Sequence, residues 1–448
     1  MLSISEAEAR VAALVADALK AGADAADALY VGDASTTVQV RLGALEDVAR
    51  SEGEEIGLRL FVGTRSASVS SSDLSAEALA ALVERAAAMA RQAPEDPWSG
   101  LAPEERLLQG PAPELEADDG ADPAPTELRA RALAIEDAAR AVAGITNSEG
   151  AGMSCGRNVV ALATSHGFAR GYTASGYGGW ASVIAGTGSG MQRDHASHST
   201  RHLADLDEPD AIGRLAGERT VSRLNPGKPP GGTMPVVFDP RIGGGMVGNL
   251  LSAMSGPSIA RKTSFLAGRK GALLFPEAIT IVDDPHRRRG PRSKPFDGEG
   301  VATVCRNLVE NGRLGGWLMN AAAARQLGGS VTGHATRGTS GPPGTGASNV
   351  HVEPGDVDPA GLMADIKRGI YVTEMIGQGV NPVTGDYSRG ASGFMIENGR
   401  LGAAVAEITI AGNLIDMFAT LVAANDLEHR RAINVPTLRI EGMTIAGA

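Results

Sequence analysis

A repeated hexapeptide, Glu-Asn-Gly-Arg-Leu-Gly, constrains the fold of this chain more than any other feature. It occurs at residues 310–315 and 397–402, each time directly after an apolar segment. Asn-Gly between apolar runs predicts a two-residue hairpin, because a type I′ turn needs positive φ at both central residues. We therefore predict two β-hairpins that belong to one sheet system in the C-terminal half of the chain.

The second copy lies inside a longer stretch that combines three further signals. Gly377, Gly379 and Gly385 punctuate a polar segment, which suits a loop that bends tightly or approaches a ligand closely. Residues 407–410 have the pattern of a strand, and Asn413 is placed to cap a helix that runs to about residue 424. This stretch is the most informative part of the sequence.

The N-terminal half alternates between helical and strand patterns. Apolar residues at a spacing of three and four predict helices, and alternating apolar and polar residues predict strands. The predicted helices cover residues 5–21, 75–92 and 126–142, and the region from 145 to 200 is predicted to be rich in antiparallel strands.

A run of prolines and glycines at residues 225–234 marks the clearest domain boundary. We predict an α+β fold of two domains on either side of it. Residues 1–225 would form an N-terminal α/β layer domain. Residues 226–448 would form a C-terminal β-rich domain with a mixed sheet and few helices.

Charge and cysteine usage exclude several classes of protein. The formal net charge of −11 argues against a general grip on nucleic acid. Cys155 and Cys305 lie far apart, which fits a reducing compartment and not a disulfide framework. The N-terminus is acidic, unlike a signal peptide. The sequence has no run of about 18 apolar residues, so no membrane-spanning helix is expected. We expect a cytoplasmic protein.

One segment gathers potential metal ligands, namely His195, His198 and His202. On a helix the three side chains would share a face, whereas on a strand His195 and His198 would point to opposite faces. The polar neighbours favour a solvated loop or strand end over a metal site. An enzyme that uses this histidine cluster is one alternative that the sequence leaves open.

No nucleophile elbow or phosphate-binding loop is recognisable in the sequence. The remaining feature is a series of polar loops punctuated by glycines. Such loops accompany two recurring means of holding a peptide, an exposed strand edge that pairs with an extended backbone and a groove lined by glycines. Both give affinity with little selectivity for side chains.

Long segments of the C-terminal half resemble the TldE (PmbA) branch of the TldD/PmbA family. Together they span residue 232 to the C-terminus, and the N-terminal half is similar in layout. The segments are SIARKTSF (258–265), PFDGEGV (295–301), TGHA (332–335), VTEMIGQGV (372–380), TGDYSRG (384–390) and EITIAGNL (407–414).

The resemblance implies a two-subunit cytoplasmic metalloprotease whose TldD partner carries a His-Glu-x-x-x-His zinc motif on a helix. The corresponding helix here, Gly243–Gly256, contains no His, Cys, Asp or Glu. Met246, Asn249 and Ser252 are not ordinary zinc ligands. We therefore expect no cofactor in this chain and zinc in the partner.

The predicted function is that of a non-catalytic subunit that helps to bind and position unfolded or small peptides for proteolysis by a zinc-bearing TldD partner. Activity is expected only in the complex, and neither nucleic acid nor membrane is an expected partner. The alternative is a self-associating, homodimeric peptide-binding protein without a protease partner. The candidate substrate contacts, among which Arg389 suits bidentate binding of a carboxylate, are Thr332, Gly333, His334, Gly377, Gln378, Gly379, Asp386, Tyr387 and Arg389.

Overall fold

The structure is a computed structural model that describes residues 1–447. Among the helices of this part of the chain, none combines the length and apolar character that crossing a bilayer requires. Ser3 and Ser75 cap the first two helices by accepting hydrogen bonds from backbone N–H groups in the first turn. The helices are α1 (Ile4–Lys20), α2 (Ala76–Gln92), α3 (Pro125–Arg140), α4 (Pro209–Ser222), α5 (Pro240–Ala253), α6 (Gly256–Ala260), α7 (Ala321–Gln326), α8 (Pro359–Met363) and α9 (Leu414–Ala419).

An antiparallel six-stranded sheet forms the N-terminal half, in the order β3-β2-β1-β4-β5-β6. Its central strands are long, because glycines within them stay in the ladder of paired residues. β6 is one edge of the sheet. The strands are β1 (Ala25–Arg41), β2 (Ala44–Val62), β3 (Arg65–Ser71), β4 (Ile145–Thr164), β5 (Ala169–Ala185) and β6 (Gln192–Thr200).

Helices α1 to α4 all cover one face of this sheet. Helices α1 and α2 pack on side chains such as Tyr30 at one end of β1, and α3 and α4 pack on side chains such as Val38 at the other end. The opposite face carries Leu29 and Phe168, which contact the C-terminal half. Phe168 and Phe296 meet edge to face with ring centroids 5.1 Å apart. The α+β layer arrangement is therefore confirmed.

The C-terminal half contains three sheets and only short helices besides α5, as the mixed-sheet prediction required. A five-stranded sheet has the order β10-β9-β8-β13-β18, and β11 pairs with β12. The strands are β7 (Gly232–Phe238), β8 (Ile281–Asp283), β9 (Arg306–Glu310), β10 (Arg313–Leu314), β11 (Ala335–Thr336), β12 (Gly344–Thr345), β13 (Val350–Val352), β14 (Arg368–Ile376), β15 (Asp386–Glu397), β16 (Arg400–Asn413), β17 (Val422–Ala423), β18 (Ile433–Asn434) and β19 (Leu438–Gly447).

The third sheet closes on itself. Its order is β16-β15-β14-β7-β19-β17, and β16 also pairs with β19. The strands β7, β14, β15, β16 and β19 thus form a five-stranded barrel in which only β7 and β14 are parallel. Closure removes the free edges of these strands. An extended peptide therefore finds no open edge in the barrel, whereas β3 and β6 are the open edges of the N-terminal sheet.

Both Asn-Gly turns have the predicted backbone conformation. Asn311 and Gly312 have φ of 49° and 75°, and Asn398 and Gly399 have φ of 49° and 78°. The prediction that the two hairpins share a sheet is wrong. The first joins β9 to β10 in the five-stranded sheet, and the second joins β15 to β16 in the barrel. Asn413 does cap a helix, but that helix, α9, ends at Ala419, well before residue 424.

A buried charge cluster joins the two halves of the chain. It consists of Asp27 and Arg59 in the N-terminal sheet and Glu299 and Arg337 in loops of the C-terminal half. Asp27 accepts hydrogen bonds from both arginines, with 3.0 Å between its Oδ2 and Nε of Arg59. Glu299 accepts a backbone hydrogen bond from Ala321 at 2.7 Å and lies 3.7 Å from Arg59.

Replacing Glu299 with Gln should change how stability depends on pH. Burial raises the pKa of Glu299 from 4.5 to about 7, although Arg59 opposes this rise. Between these two values the folded protein holds a proton that the unfolded chain releases, so this residue makes folding less favourable as pH rises from about 4.5 to 7. Gln does not titrate. Between pH 5 and pH 8 the free energy of unfolding of Glu299→Gln should therefore rise by about 2–3 kcal/mol relative to that of the wild type.

The measurement is urea unfolding of both proteins at half-unit steps of pH. Glu95→Gln serves as the control, since Glu95 is exposed and pairs only with Arg65 at 3.2 Å. Parallel pH profiles for the wild type and Glu299→Gln would contradict the raised pKa.

Candidate functional site

A cavity of about 590 Å³ lies where β6 of the N-terminal sheet meets the barrel and α5. This volume is in the range of small-molecule and peptide-binding pockets. Four arginines, two carboxylates and several apolar side chains line it. The lining residues are Asp194, His195, Ser197, Arg219, Phe238, Arg241, Ile242, Gly245, Met246, Thr373, Glu374, Met375, Tyr387, Arg389 and Arg431.

Asp194 anchors the cavity wall on the β6 side. Its carboxylate is 5% exposed and accepts from Nη1 of Arg241 at 3.1 Å. Arg223, at the end of α4, lies 3.4 Å from the same carboxylate and also pairs with Glu374. Both carboxylates of the cavity are thus neutralised by arginines. Arg241 is held in place because Asp239 caps α5, with Arg241 in its first turn.

Thr373 lies in the barrel wall at a β-bulge of β14. Val372 pairs with Gly393 and Glu374 pairs with Ser392, so Thr373 is the extra residue of β14. Bulges redirect a side chain and are common beside functional sites. A Cβ atom on Gly393 would lie 1.9 Å from the carbonyl oxygen of Tyr371, so the two strands approach this closely only because residue 393 is glycine.

Tyr387 and Arg389 enter the cavity from β15. Tyr387 is buried, and this burial raises the pKa of its phenol to about 12 despite the nearby charge of Arg389. The phenol therefore stays protonated at neutral pH. The Nε atom of Arg389 is buried and has no hydrogen-bond partner within residues 1–447.

Helix α5 runs past this cavity and on to a second, smaller one. Ile242, Gly245 and Met246 face the larger cavity. Asn249 and Ser252, one to two turns later on the same stripe, line a cavity of about 280 Å³ together with Gln378, Val380 and other residues. One face of α5 thus connects the two cavities.

The side chains on this face do not suit zinc. Zinc is held by Cys, His and carboxylate groups, whereas α5 offers a thioether, an amide and a hydroxyl at Met246, Asn249 and Ser252. No cluster of three or more His, Cys, Asp or Glu side chains with the arrangement of a metal site occurs within residues 1–447. The donor set of α5 therefore does not fit the metal that the family resemblance implies.

His195 and His198 lie on β6 with their side chains on opposite faces, and His202 follows the end of that strand. His195 is largely exposed beside the larger cavity, with its backbone oxygen accepting from Arg219 at 3.3 Å. On the other face, Nδ1 of His198 accepts from the backbone N–H of Asp207 at 3.1 Å. His202 contacts the carbonyl oxygen of Glu116. The segment for which a solvated loop or strand end was expected is an edge strand that ends at Thr200, and the three side chains do not converge.

The predicted contacts Thr332, Gly333 and His334 lie apart from this cavity, in the buried interior of the C-terminal half. Nε2 of His334 is 3.0 Å from the carboxylate of Asp283, and Nδ1 is 2.8 Å from the hydroxyl of Thr332. That hydroxyl accepts from the backbone of Met319. These polar groups are occupied by partners within the chain.

The remaining predicted contacts lie near the two cavities, but only some of them line a wall. Tyr387 and Arg389 line the larger cavity and Gln378 the smaller. Gly379 allows close packing, because a Cβ atom there would lie 1.7 Å from the carbonyl oxygen of Ser388. Asp386 is exposed, and its carboxylate accepts hydrogen bonds from the side chains of Thr384 and Asn413. Gly377 has φ of 81°, which a turn requires.

The cavity also contains residues that the sequence did not single out. Arg219, Arg241 and Arg431 come from separate segments, and nothing in the local pattern of any of them indicates a shared site. Thr373 lies inside one of the segments that carry the family resemblance, and nothing in its local pattern marks it as a cavity residue. A β-bulge leaves no clear trace in the alternation of one strand, so its position was not predictable.

Comparison with known families gives matches along almost the whole chain. PmbA/TldA metallopeptidase domain 1 matches residues 26–90, the central domain matches residues 118–224, and the C-terminal domain matches residues 231–447. The chain is 36% identical to the Metalloprotease PmbA of Escherichia coli O157:H7, with 100% of this chain and 99% of that protein covered. It is 37% identical to the Metalloprotease PmbA homolog of Haemophilus influenzae, with 100% and 98% covered.

Two solved structures share the fold. A Bacteroides thetaiotaomicron protein described as a putative modulator of DNA gyrase superposes with a TM-score of 0.91 at 27% identity, covering 100% of both chains. TldE of Thermococcus kodakarensis superposes with a TM-score of 0.87 at 22% identity, covering 98% of this chain and 100% of that one. The second likeness concerns the fold alone.

Proposed function

Since the chain belongs to the PmbA/TldE branch of the PmbA/TldD metallopeptidase family, we propose that it is the non-catalytic subunit of a two-subunit metalloprotease. In this proposal it binds unfolded or small peptides and positions them for a TldD-type partner that carries the zinc. The complex works in the cytoplasm. The TldD-type subunit and the peptide substrates are its partners, and neither nucleic acid nor membrane takes part.

The chemistry of α5 is the observation that carries this proposal. The helix lies along two cavities, where a substrate would be held, and yet Met246, Asn249 and Ser252 offer no group that holds zinc firmly. A binding surface without the donors for a metal suits a subunit that assists a hydrolase. Zinc supplied by the partner would polarise the peptide carbonyl and activate a water molecule.

The walls of the two cavities support peptides as ligands. Apolar side chains such as Phe238 and Met375 lie beside arginines in the larger cavity, and neutral polar groups line the smaller one. Of the predicted contacts, Gln378, Tyr387 and Arg389 are the residues through which this chain would touch the substrate. Thr332, Gly333 and His334 would act only through packing.

Co-purification tests the division of labour. The chain is tagged at its own locus and purified from native cells, and mass spectrometry should identify a stoichiometric partner with a His-Glu-x-x-x-His motif. Peptide hydrolysis by the complex should stop on addition of a chelator and resume with zinc. The lone chain should show no chelator-sensitive hydrolysis.

Two other results would overturn the proposal. Hydrolysis by the lone chain that a chelator abolishes would mean that this polypeptide carries its own metal, and metal analysis of His198→Ala would then show whether β6 holds it. A lone chain that forms a homodimer, binds peptides and never recovers a partner would favour the alternative of a self-associating peptide-binding protein.

A further inference from the structure

We propose that the larger cavity binds the free carboxylate of a peptide's C-terminus among Arg219, Arg389 and Arg431, with the rest of the peptide extending along α5 toward the smaller cavity. The inference rests on the proposed function, because it assumes that peptides are the substrates. Beyond that function, it specifies the end of the peptide that this chain binds and the direction in which the peptide runs.

The charge of the larger cavity favours an anionic ligand. Four arginines and two carboxylates line it, which leaves an excess of two positive charges. Outside the lining, Arg223 pairs with Asp194 and Glu374, and Asp239 lies 3.9 Å from Nε of Arg241, so these two outer charges offset each other and the excess stays at two. Within residues 1–447, no carboxylate oxygen lies within 4.0 Å of the side-chain nitrogens of Arg219, Arg389 or Arg431. These cations collect in a protein whose net charge is −11.

Three polar side-chain atoms at the larger cavity have no hydrogen-bond partner within residues 1–447. Oγ1 of Thr373, Nε of Arg389 and Nε of Arg241 are buried and lack a hydrogen-bond partner within the described residues. All three residues line this cavity, and Thr373 is only 5% exposed. A buried polar group without a partner costs about 1–3 kcal/mol, so such groups normally have a ligand or a water molecule to bind. One carboxylate accepts from a hydroxyl and from two guanidinium groups at once.

The apolar lining of the larger cavity and the length of α5 favour a peptide end as the ligand. Phe238, Ile242 and Met246 also line the cavity, so the ligand has an apolar part next to its anionic part. A terminal amino acid with an apolar side chain fits this description better than a hydrated inorganic anion. The eleven residue-to-residue steps from Ile242 to Ala253 span about 16 Å along the helix axis. That distance holds about five residues of extended peptide.

The experiment uses the full chain and N-acetylated hexapeptides of Ser and Ala that end in Leu, titrated by calorimetry. One peptide has a free C-terminal carboxylate, a second has a C-terminal amide, and a third has the amide and an Asp side chain in the middle. The free acid should bind at least about tenfold more tightly than either amide. Arg389→Met should remove this preference, and Thr373→Val should reduce it about fivefold.

Arg400→Met is the control variant, since Arg400 is an exposed arginine on the same barrel and does not line the cavity. It should bind the free acid like the wild type. Thr373→Val keeps the side-chain volume, so it tests the site even if Arg389→Met does not fold. Tight binding of the internal Asp peptide would show that the cavity takes any carboxylate and would overturn the assignment to the C-terminus.

The result also separates this inference from the proposed function. Equal binding of the free acid and the plain amide would overturn the inference and leave the peptide-positioning role intact. Binding of no peptide, together with unchanged peptide hydrolysis by the partner when this chain is added, would overturn both.

Discussion

Replacing Asp27 with Asn should lower the free energy of unfolding by about 3–5 kcal/mol, because within residues 1–447 Arg337 then has no carboxylate within 4.0 Å and Arg59 keeps only Glu299, at 3.7 Å. Asp27 is 1% exposed, and the side chains of Arg59 and Arg337 that surround it are 7% and 0% exposed. Burial raises the pKa of Asp27, but the charges of Arg337 and Arg59 outweigh burial and hold the pKa below its usual range. The carboxylate is therefore ionised at neutral pH.

The sign of the pH dependence follows from this lowered pKa. Because the folded pKa lies below the unfolded value of 3.8, the stabilisation by Asp27 is complete above that value and is lost as pH falls through the folded pKa. The difference between Asp27→Asn and the wild type should thus be largest at neutral pH and shrink in acid. Glu299, whose pKa is raised, gives the opposite trend in the same cluster.

Urea unfolding at pH 7, followed by circular dichroism, measures the effect. Asp17→Asn is the matched control, since Asp17 pairs with Lys20 at 2.8 Å while both side chains are more than half exposed. An exposed pair contributes little, so the control should change stability by less than about 0.5 kcal/mol. Equal losses for the two variants would show that the charge cluster does not stabilise the fold.

Replacing Gly393 with Ala should destabilise the protein by about 3 kcal/mol or more, since the added Cβ atom has no room. It would lie 1.9 Å from the carbonyl oxygen of Tyr371, and a backbone atom cannot move aside without shifting β14. Gly393 pairs with Val372, next to the bulge that holds Thr373. The substitution should therefore disturb the larger cavity as well as the barrel.

Thermal unfolding and peptide binding measure the two effects. Gly176→Ala is the control, because Gly176 also lies within a strand and a Cβ atom there would meet nothing within 4 Å. It should keep both stability and binding near the wild-type values. If Gly393→Ala behaves like this control, the close approach of β14 and β15 is not needed for the barrel.

The local elements of this protein were largely predictable from its sequence. The capped helices, the Asn-Gly turns and the alternating strands follow from spacing and backbone preference over a few residues. The predictions were wrong where segments that are distant in sequence pack against each other. The two identical hairpins belong to different sheets, because a turn specifies its own conformation and says nothing about the third strand that pairs with the hairpin.

The candidate site was predictable only in part, for the same reason. Tyr387 and Arg389 were found through the segment that carries the family resemblance, and they do line the larger cavity. Thr332 and His334 belong to another such segment, but their polar groups face Met319 and Asp283 in the interior. A motif tells which residues a family uses together and does not tell which of them face a cavity.

The sequence by itself determined the α+β class, the family and the absence of zinc-binding side chains on α5, because each depends on the identity of residues within one segment. Only the tertiary structure decided that five strands close into a barrel and that arginines from four separate segments share one cavity. Pairing between strands and the meeting of distant side chains depend on packing over the whole chain. Whether an arginine has a carboxylate partner likewise depends on neighbours that lie far away in sequence.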